Sequence, residues 1–320
     1  MGDGWALVGL MMGHGVMLVG VGTTGKFVLL SAIWGSSFAL IKVAVDAGVP
    51  PVQVALLRCL FGALALWLIC LAQRAQIPRD ARTWGHAAVV AVLLNAVPFT
   101  LVAFGESRVD SVLAGALNAT TPLATLAFAL LVVPGERVTW TRLAGLLLGF
   151  AGVLVLLGAW RGLEGDVLVG GLACVAATSC YGAGFAYTRR FLTGGPHRAS
   201  ALSAAQITCA TLQLLVAAPL LSDSVVWPGA PVVLALVVLG AVGTGYAYVL
   251  NFDLIREAGP TVASTVTYVT PLWSTALGAL LLAEPVGWNT VAGGAVVIGG
   301  ILLSRRPVRA RSGVDVGVAR

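Results

Sequence analysis

The sequence predicts an all-α polytopic membrane protein with ten transmembrane helices arranged as two inverted five-helix repeats. Three observations predict it: scarce charge, ten long apolar runs, and a self-match at nearly constant offset. Of the 320 residues, 58% are hydrophobic and 10% charged, against about 25% charged in an ordinary globular chain. With 19 basic and 13 acidic side chains, the chain cannot cover a water-facing surface, so lipid is its solvent.

The apolar runs fall at 27–48, 52–72, 84–105, 110–133 and 140–159, then at 167–190, 199–221, 231–252, 261–282 and 287–304. Each matches the roughly 20 residues needed to cross hydrocarbon. Each is apolar all round rather than along one stripe, as lipid-embedded helices are. Pro98, Pro122 and Pro271 lie inside runs, which membrane helices tolerate when neighbours satisfy the freed backbone groups. The first repeat is assigned to 27–158 and the second to 167–304, with a basic tail at 305–320. Residues 1–26 form an unassigned extension. The stretch from Trp5 to Gly22 is apolar enough for an eleventh span or a signal sequence, yet it is glycine-rich and no charged n-region precedes it.

Loop charge tests the span count. With a cytoplasmic start, fifteen of the nineteen basic residues fall in inside segments: Lys26; Arg74, Arg79, Arg82; Arg137, Arg142; Arg189, Arg190, Arg198; Arg256; and Arg305, Arg306, Arg309, Arg311, Arg320. Arg108 and Arg161 fall outside, and Lys42 and Arg58 lie within spans. Both termini are therefore expected in the cytoplasm. Trp84, Trp140, Trp160, Trp227 and Trp288 sit near span ends, as an aromatic belt requires. The net charge of +6 thus reflects topology, and no nucleic-acid partner is expected.

The second half repeats the first. Trp34-Gly35-Ser36-Ser37-Phe38-Ala39 matches Tyr181-Gly182-Ala183-Gly184-Phe185-Ala186 at an offset of 147, setting Lys42 against Arg189. Thr121-Pro122-Leu123 matches Thr270-Pro271-Leu272 at 149, and Glu136, Trp140 and Gly152 match Glu284, Trp288 and Gly300 at 148. Five spans per repeat is an odd number, so the copies cross the membrane in opposite directions, an architecture of transporters.

The Trp34–Phe38 segment, Arg58 early in the second span, Asn95-Ala96-Val97-Pro98-Phe99, and the Thr-Pro elements followed by Glu136 and Glu284 resemble the EamA family of the drug/metabolite transporter superfamily. The resemblance covers about residues 27–304. It implies two EamA repeats, an inner-membrane location, and transport of small metabolites, often as export. The long extension before residue 27 departs from the family's usual short amino terminus.

Arg58 lies about 9 Å into its span at helical rise. An intramembrane cation is costly and usually faces protein or water: it binds an anionic group such as a substrate carboxylate, snorkels outward, or pairs with Asp46. Lys42 and Asp46, spaced i, i+4, read as a structural pair. Trp34, Asn95, Asn118, Tyr181, Tyr246, Asn251, Tyr268 and Trp273 are polar or aromatic groups on spans 1, 3, 4, 6, 8 and 9. They serve either as helix-to-helix hydrogen bonds or, with Arg58, as the lining of a substrate cavity. In the resembling transporters those spans line the pathway. Gly145-x-x-x-Gly149 and Ala295-x-x-x-Gly299 are small-residue spacings for close helix approach, within the chain by default or in a homodimer.

Other chemistry lacks candidates. Gly20-Val21-Gly22-Thr23-Thr24-Gly25-Lys26 satisfies a dinucleotide pattern, with Asp46 as the would-be ribose acid, but it leads into an apolar run instead of an amphipathic helix. The five cysteines and three histidines have no metal-ligand spacing, so no cofactor or metal is expected. There is no catalytic motif, and no Asp or Glu stands mid-span as an evident proton carrier. The expected function is secondary transport of a small organic metabolite, amino-acid-like or drug-like, by alternating access and in the export direction. The alternative is a membrane enzyme or lipid-handling scaffold.

Overall fold

The computed structural model describes residues 22–109, 111–135, 138–157, 165–222, 226–282 and 288–304. Most of the extension at 1–26, the tail at 305–320, and Glu136, Arg137, Trp160, Arg161 and Glu284 lie outside the described residues.

All regular structure among the described residues is helical. In chain order it comprises α1 (Thr23–Asp46), α2 (Pro51–Ala72), α3 (Ala81–Ala91), a π-helical stretch (Val92–Ala96) and α4 (Val97–Glu106). Next come α5 (Ser111–Asn118), α6 (Thr121–Val132), α7 (Trp140–Leu157), α8 (Asp166–Phe191) and α9 (Ala199–Leu221). The last group is α10 (Ala230–Gly240), a second π-helical stretch (Ala241–Tyr246), α11 (Ala247–Ala258), α12 (Pro260–Ser264), α13 (Val266–Leu282) and α14 (Trp288–Ser304). Among the described residues, six continuous helices are long and apolar enough to cross a membrane: α1, α2, the α3-to-α4 unit, α8, α9 and the α10-to-α11 unit. The segments Thr121–Val132, Trp140–Val155 and Val291–Ser304 are apolar but shorter.

The bundle is turned inside out relative to a soluble protein. Leu68, Leu71, Leu131 and Leu220 face outward, Leu131 with 82% of its surface exposed, whereas Asn95, Glu106, Gln206, Thr244 and Asn251 are buried. Hydrocarbon accepts the leucines and would reject the polar groups.

Each of three prolines inside the apolar runs removes the amide that should bond the carbonyl four residues earlier. Pro98 leaves Leu94 O without its usual partner; the Tyr248 hydroxyl donates to that oxygen at 2.7 Å. Pro122 does the same to Asn118 O, which accepts from Thr121 Oγ1 at 2.7 Å. Pro271 does it to Thr267 O, which accepts from Thr270 Oγ1 at 2.8 Å. The repeated Thr-Pro element is therefore a self-contained repair, with the threonine supplying the donor that the next residue lacks. The expected single runs at 110–133 and 261–282 are in fact broken, between Asn118 and Thr121 and at Thr265. At the second break Thr265 N and Oγ1 both bond Val262 O.

Helix pairing follows the duplication. α7 packs most extensively on α14 and α2 on α9, while α1 with α13 and α6 with α8 form a matched set. The two π-helical stretches begin at Val92 and Ala241, an offset of 149 that equals that of the Thr-Pro elements. The α7–α14 seam is made of glycine. A Cβ at Gly145 would meet the backbone of Ser304 and Gly300, one at Gly300 the backbone of Gly145 and Gly149, and one at Gly152 the backbone of Gly293 and Val297. Gly149 supports the Tyr268 ring. Gly299, singled out by its spacing, has no atom near its Cβ position; its neighbour Gly300 fills the seam.

Polar links tie loops together at each end of the bundle. At one end Arg198 donates to Gln73 O at 3.3 Å, Ser200 Oγ to Gln73 Oε1 at 2.8 Å, and Arg256 to His197 O at 2.9 Å. At the same end Lys26 pairs with Asp253 at 3.4 Å and with Glu257. At the other end Gln53 bonds Val226 through both its amide nitrogen (2.7 Å) and its oxygen (3.0 Å). The loops that meet are those that the charge pattern assigns to one side. Within the would-be nucleotide motif, Lys26 is occupied by carboxylates, and Asp46 pairs with Lys42 at 3.0 Å.

Candidate functional site

At the centre lies a small cavity lined from both halves of the chain. Six aromatic residues line it, Trp34, Phe38, Phe99, Tyr181, Phe185 and Tyr248, with Ile41, Leu94 and Val102 between them. The Tyr248 ring meets Trp34 and Phe99 edge-on, at centroid distances of 6.1 and 6.3 Å. Polar groups reach the cavity from Ser37, Asn118, Thr121, Asn251 and Thr267, and Arg58 is the only charged side chain in its described lining.

Arg58 is 5% exposed. Its Nε donates to Thr244 Oγ1 at 3.0 Å, and its guanidinium carbon lies 3.6 Å from the Phe99 ring centroid. The ring face offsets part of the cost of a desolvated cation. Neither Nη atom has a hydrogen-bond partner among the described residues, which leaves the fork that recognises carboxylates bidentately. Asn251 is 1% exposed, and its Oδ1 has no hydrogen-bond partner among the described residues.

The nine residues expected at a cavity divide. Trp34, Arg58, Asn118, Tyr181 and Asn251 line it. Asn95 is buried beside it and accepts from Gln206 Nε2 at 2.6 Å. Tyr246 ends the second π-helical stretch, packed half-buried against the core. Tyr268 is fully buried and donates to Leu146 O at 2.7 Å, joining α13 to α7. Trp273 donates to Ser31 Oγ at 2.9 Å, joining α13 to α1.

One charged residue escaped the sequence reading. Glu106, counted there as loop, is the last residue of α4, is 0% exposed, and has no hydrogen-bond partner at either carboxylate oxygen among the described residues. It follows Phe99 and Val102 at i+7 and i+4, and that spacing on one helix face was the available signal. Lys42 donates to the Glu106 backbone oxygen at 3.1 Å, at the carbonyl end of α4. Its repeat equivalent Arg189 donates to Ile255 O and Arg256 O, at 3.3 and 3.0 Å, at the carbonyl end of α11. Cations suit both places because helix C-termini present unpaired carbonyls. No group of metal-ligating side chains occurs among the described residues.

The model of the EamA-like transporter family matches this chain twice, over residues 25–158 and 168–306. The chain belongs to the EamA-like transporter family. Similar proteins include the uncharacterized transporter YvbV of Bacillus subtilis, 25% identical over 90% of this chain and 93% of its own. The S-adenosylmethionine/S-adenosylhomocysteine transporter of Chlamydia trachomatis serovar L2 is 30% identical over 79% of each chain. The aromatic amino acid exporter YddG of Escherichia coli is 26% identical over 85% of this chain and 92% of its own. A solved structure titled "Crystal structure of protein" shares the fold, with a TM-score of 0.68 at 22% identity over 86% of this chain and 97% of that one. Both EamA segments contribute to the cavity: the first supplies Trp34, Arg58, Phe99 and Asn118, the second Tyr181, Tyr248, Asn251 and Thr267. This EamA protein is thus a multi-pass membrane transporter whose central cavity lies between its two family segments.

Proposed function

We propose that the chain is an alternating-access secondary transporter for a small organic solute bearing a carboxylate, working as an exporter in the inner membrane. The observation that carries this reading is Arg58: one desolvated cation with a free guanidinium fork, in a cavity otherwise lined by aromatic, aliphatic and neutral polar side chains. Such a site suits a compact anionic head on an apolar body. Two relatives named for aromatic amino acids and for S-adenosylmethionine support a carboxylate-bearing organic solute as the cargo.

The architecture in this reading is ten spans in two inverted repeats, 27–158 and 167–304, with both termini cytoplasmic. The shared 149-residue offset of the π-helical stretches and Thr-Pro elements supports it. So does the matched capping of α4 by Lys42 and of α11 by Arg189 at opposite ends of the bundle. The glycine seam is filled by α7 and α14 of one chain, so it is not the surface that a homodimer would use.

The test is reconstitution in liposomes with a panel of carboxylates and their decarboxylated analogues. Carboxylate flux is expected, and Arg58→Gln is expected to lower it about tenfold or more, the worth of a charge-assisted hydrogen bond. Equal flux of carboxylates and their decarboxylated analogues overturns the reading. Modification of a lipid with no solute movement establishes the membrane-enzyme alternative instead.

A further inference from the structure

We propose that the turn between α2 and α3 and the turn between α8 and α9 together form a binding site for the headgroup phosphate of an anionic phospholipid. The site shares no residue with the central cavity. It lies at the end of the bundle that the proposed topology places in the cytoplasm.

Arg74 points to a ligand through its backbone. Helix α2 ends in a Schellman turn, with Ala75 N donating to Cys70 O at 2.9 Å and Arg74 N to Leu71 O at 3.1 Å. The left-handed residue of such a turn is usually glycine, because a Cβ is crowded at positive φ. Arg74 holds that place with φ of +47°, and every other positive-φ residue among the described ones is glycine. Stopping the helix would be served better by glycine. Membrane sidedness depends on how many basic residues a loop carries, not on the backbone conformation at one of them. A local strain of this kind persists where the side chain has a function, and here the side chain is a guanidinium.

The surroundings lack the anion that would match it. Arg74, Arg79, Arg82, Arg190 and Arg198 are all exposed, and Asp80 is the only acid in residues 73–86 and 189–200. Asp80 is already engaged, accepting from Thr83 N at 2.7 Å and lying 4.0 Å from His197. Arg74, Arg79 and Arg82 make no side-chain hydrogen bond or ion pair among the described residues. The two turns are held as one surface: Arg198 and Ser200 both bond Gln73, and the His86 ring of α3 stacks on Phe191 at 4.9 Å while bonding the Tyr187 hydroxyl at 2.9 Å. Like charges fixed on one frame repel one another, and a bound anion relieves them.

The apolar part of the surface selects a lipid over a free phosphate. A groove runs along the turns, lined by Ala75, Gln76, Ile77, Pro78, Arg79 and His197. Three of these are apolar and two are basic or can become so. Next to it, Leu64, Leu68 and Leu71 stand exposed at i, i+4 and i+7 on α2, and this outward face ends one turn before Arg74. A phospholipid supplies both halves of the match: a phosphate for the arginine forks, which bind it bidentately, and chains for the leucines. The cytoplasmic leaflet carries anionic lipid that juxtamembrane arginines attract.

The experiment follows thermal melting of the full-length protein in neutral-detergent micelles as phosphatidylglycerol, phosphatidylcholine or glycerol phosphate is added. It compares the wild type with Arg74→Gly and with Arg108→Gln, which removes one charge at the opposite end of the bundle. Saturating phosphatidylglycerol is expected to raise the wild-type midpoint by about 5 °C, and the other two additives by much less. Arg74→Gly is expected to change sign with the lipid. Without phosphatidylglycerol it melts about 2 °C above the wild type, because the turn is relaxed; with saturating phosphatidylglycerol it loses most of the shift and melts below the wild type. Arg108→Gln keeps the full shift. Equal shifts from phosphatidylglycerol and phosphatidylcholine overturn the proposal, a result that needs no variant to fold. A full shift from glycerol phosphate assigns the site to a soluble phosphate and overturns the lipid. An undiminished shift in Arg74→Gly, or an equal loss in Arg108→Gln, overturns the assignment to this surface.

Discussion

The bond between the Tyr248 hydroxyl and Leu94 O, 2.7 Å long, is present because Pro98 cannot serve that carbonyl, and this causal claim can be tested by a double-mutant cycle. Tyr248→Phe keeps the ring contacts with Trp34 and Phe99 and removes only the hydroxyl of a side chain that is 3% exposed. Interhelical hydrogen bonds in membranes are worth about 0.6 kcal/mol on average and up to about 1.7. A buried, short bond to a carbonyl with no other assured donor belongs at the top of that range, so we expect a loss of about 1.5 kcal/mol. In a Pro98→Ala background the amide of residue 98 returns to Leu94 O, and the same substitution should cost about 0.5 kcal/mol or less, giving a coupling near 1 kcal/mol. The four proteins are compared by reversible unfolding in mixed micelles as the denaturing detergent fraction rises. Costs that add to within about 0.3 kcal/mol would show that Tyr248 and Pro98 are independent and refute the reasoning.

Other predictions follow from the same geometry. Gly145→Ala and Gly300→Ala place a methyl group against facing backbone and should each cost about 1–3 kcal/mol in the same unfolding assay; Gly299→Ala, with open space at its Cβ position, should be neutral or slightly stabilising. Thr270→Val leaves Thr267 O without the hydroxyl that replaces the amide missing at Pro271 and should cost about 1 kcal/mol, while Thr270→Ser should restore the wild-type melting point. Asp80 caps α3 by accepting from Thr83 N at 2.7 Å, and that bond holds its carboxyl below the usual carboxylate range. A depressed value means that its contribution is complete above the ordinary Asp range and fades as pH falls through the lowered one. Amide exchange at Thr83 should accelerate over that acidic window in the wild type and show no such step in Asp80→Asn.

Much of the fold was legible because lipid imposes simple rules on composition. Charge scarcity and run length need no tertiary information, and the Thr-Pro elements are repaired within a single turn, so their duplication in sequence is also duplication in chemistry. What remained hidden was helix phase. In a soluble helix, polar residues report which side faces out; in α2 or α13 both sides are apolar and the 3.6-residue period has nothing to register it. Tyr246 was therefore placed in the cavity ahead of Tyr248, two positions away, whose ring actually lines it, and Gly299 was chosen over Gly300 for the seam. Glu106 was lost for a related reason: at the end of an apolar run an acid looks like the start of a loop, and only the packing of α8 and α1 around it reveals that it is enclosed.

The glycine seam between α7 and α14 and the cavity have no residue in common. Mechanical support and chemical recognition are thus carried by different helices. If the two halves rock as proposed, the place where their backbones touch directly, with no side chain to deform, is the stiffest line available, and leverage is measured from it. Substitutions on the cavity walls can retune which solute is carried without disturbing that fulcrum.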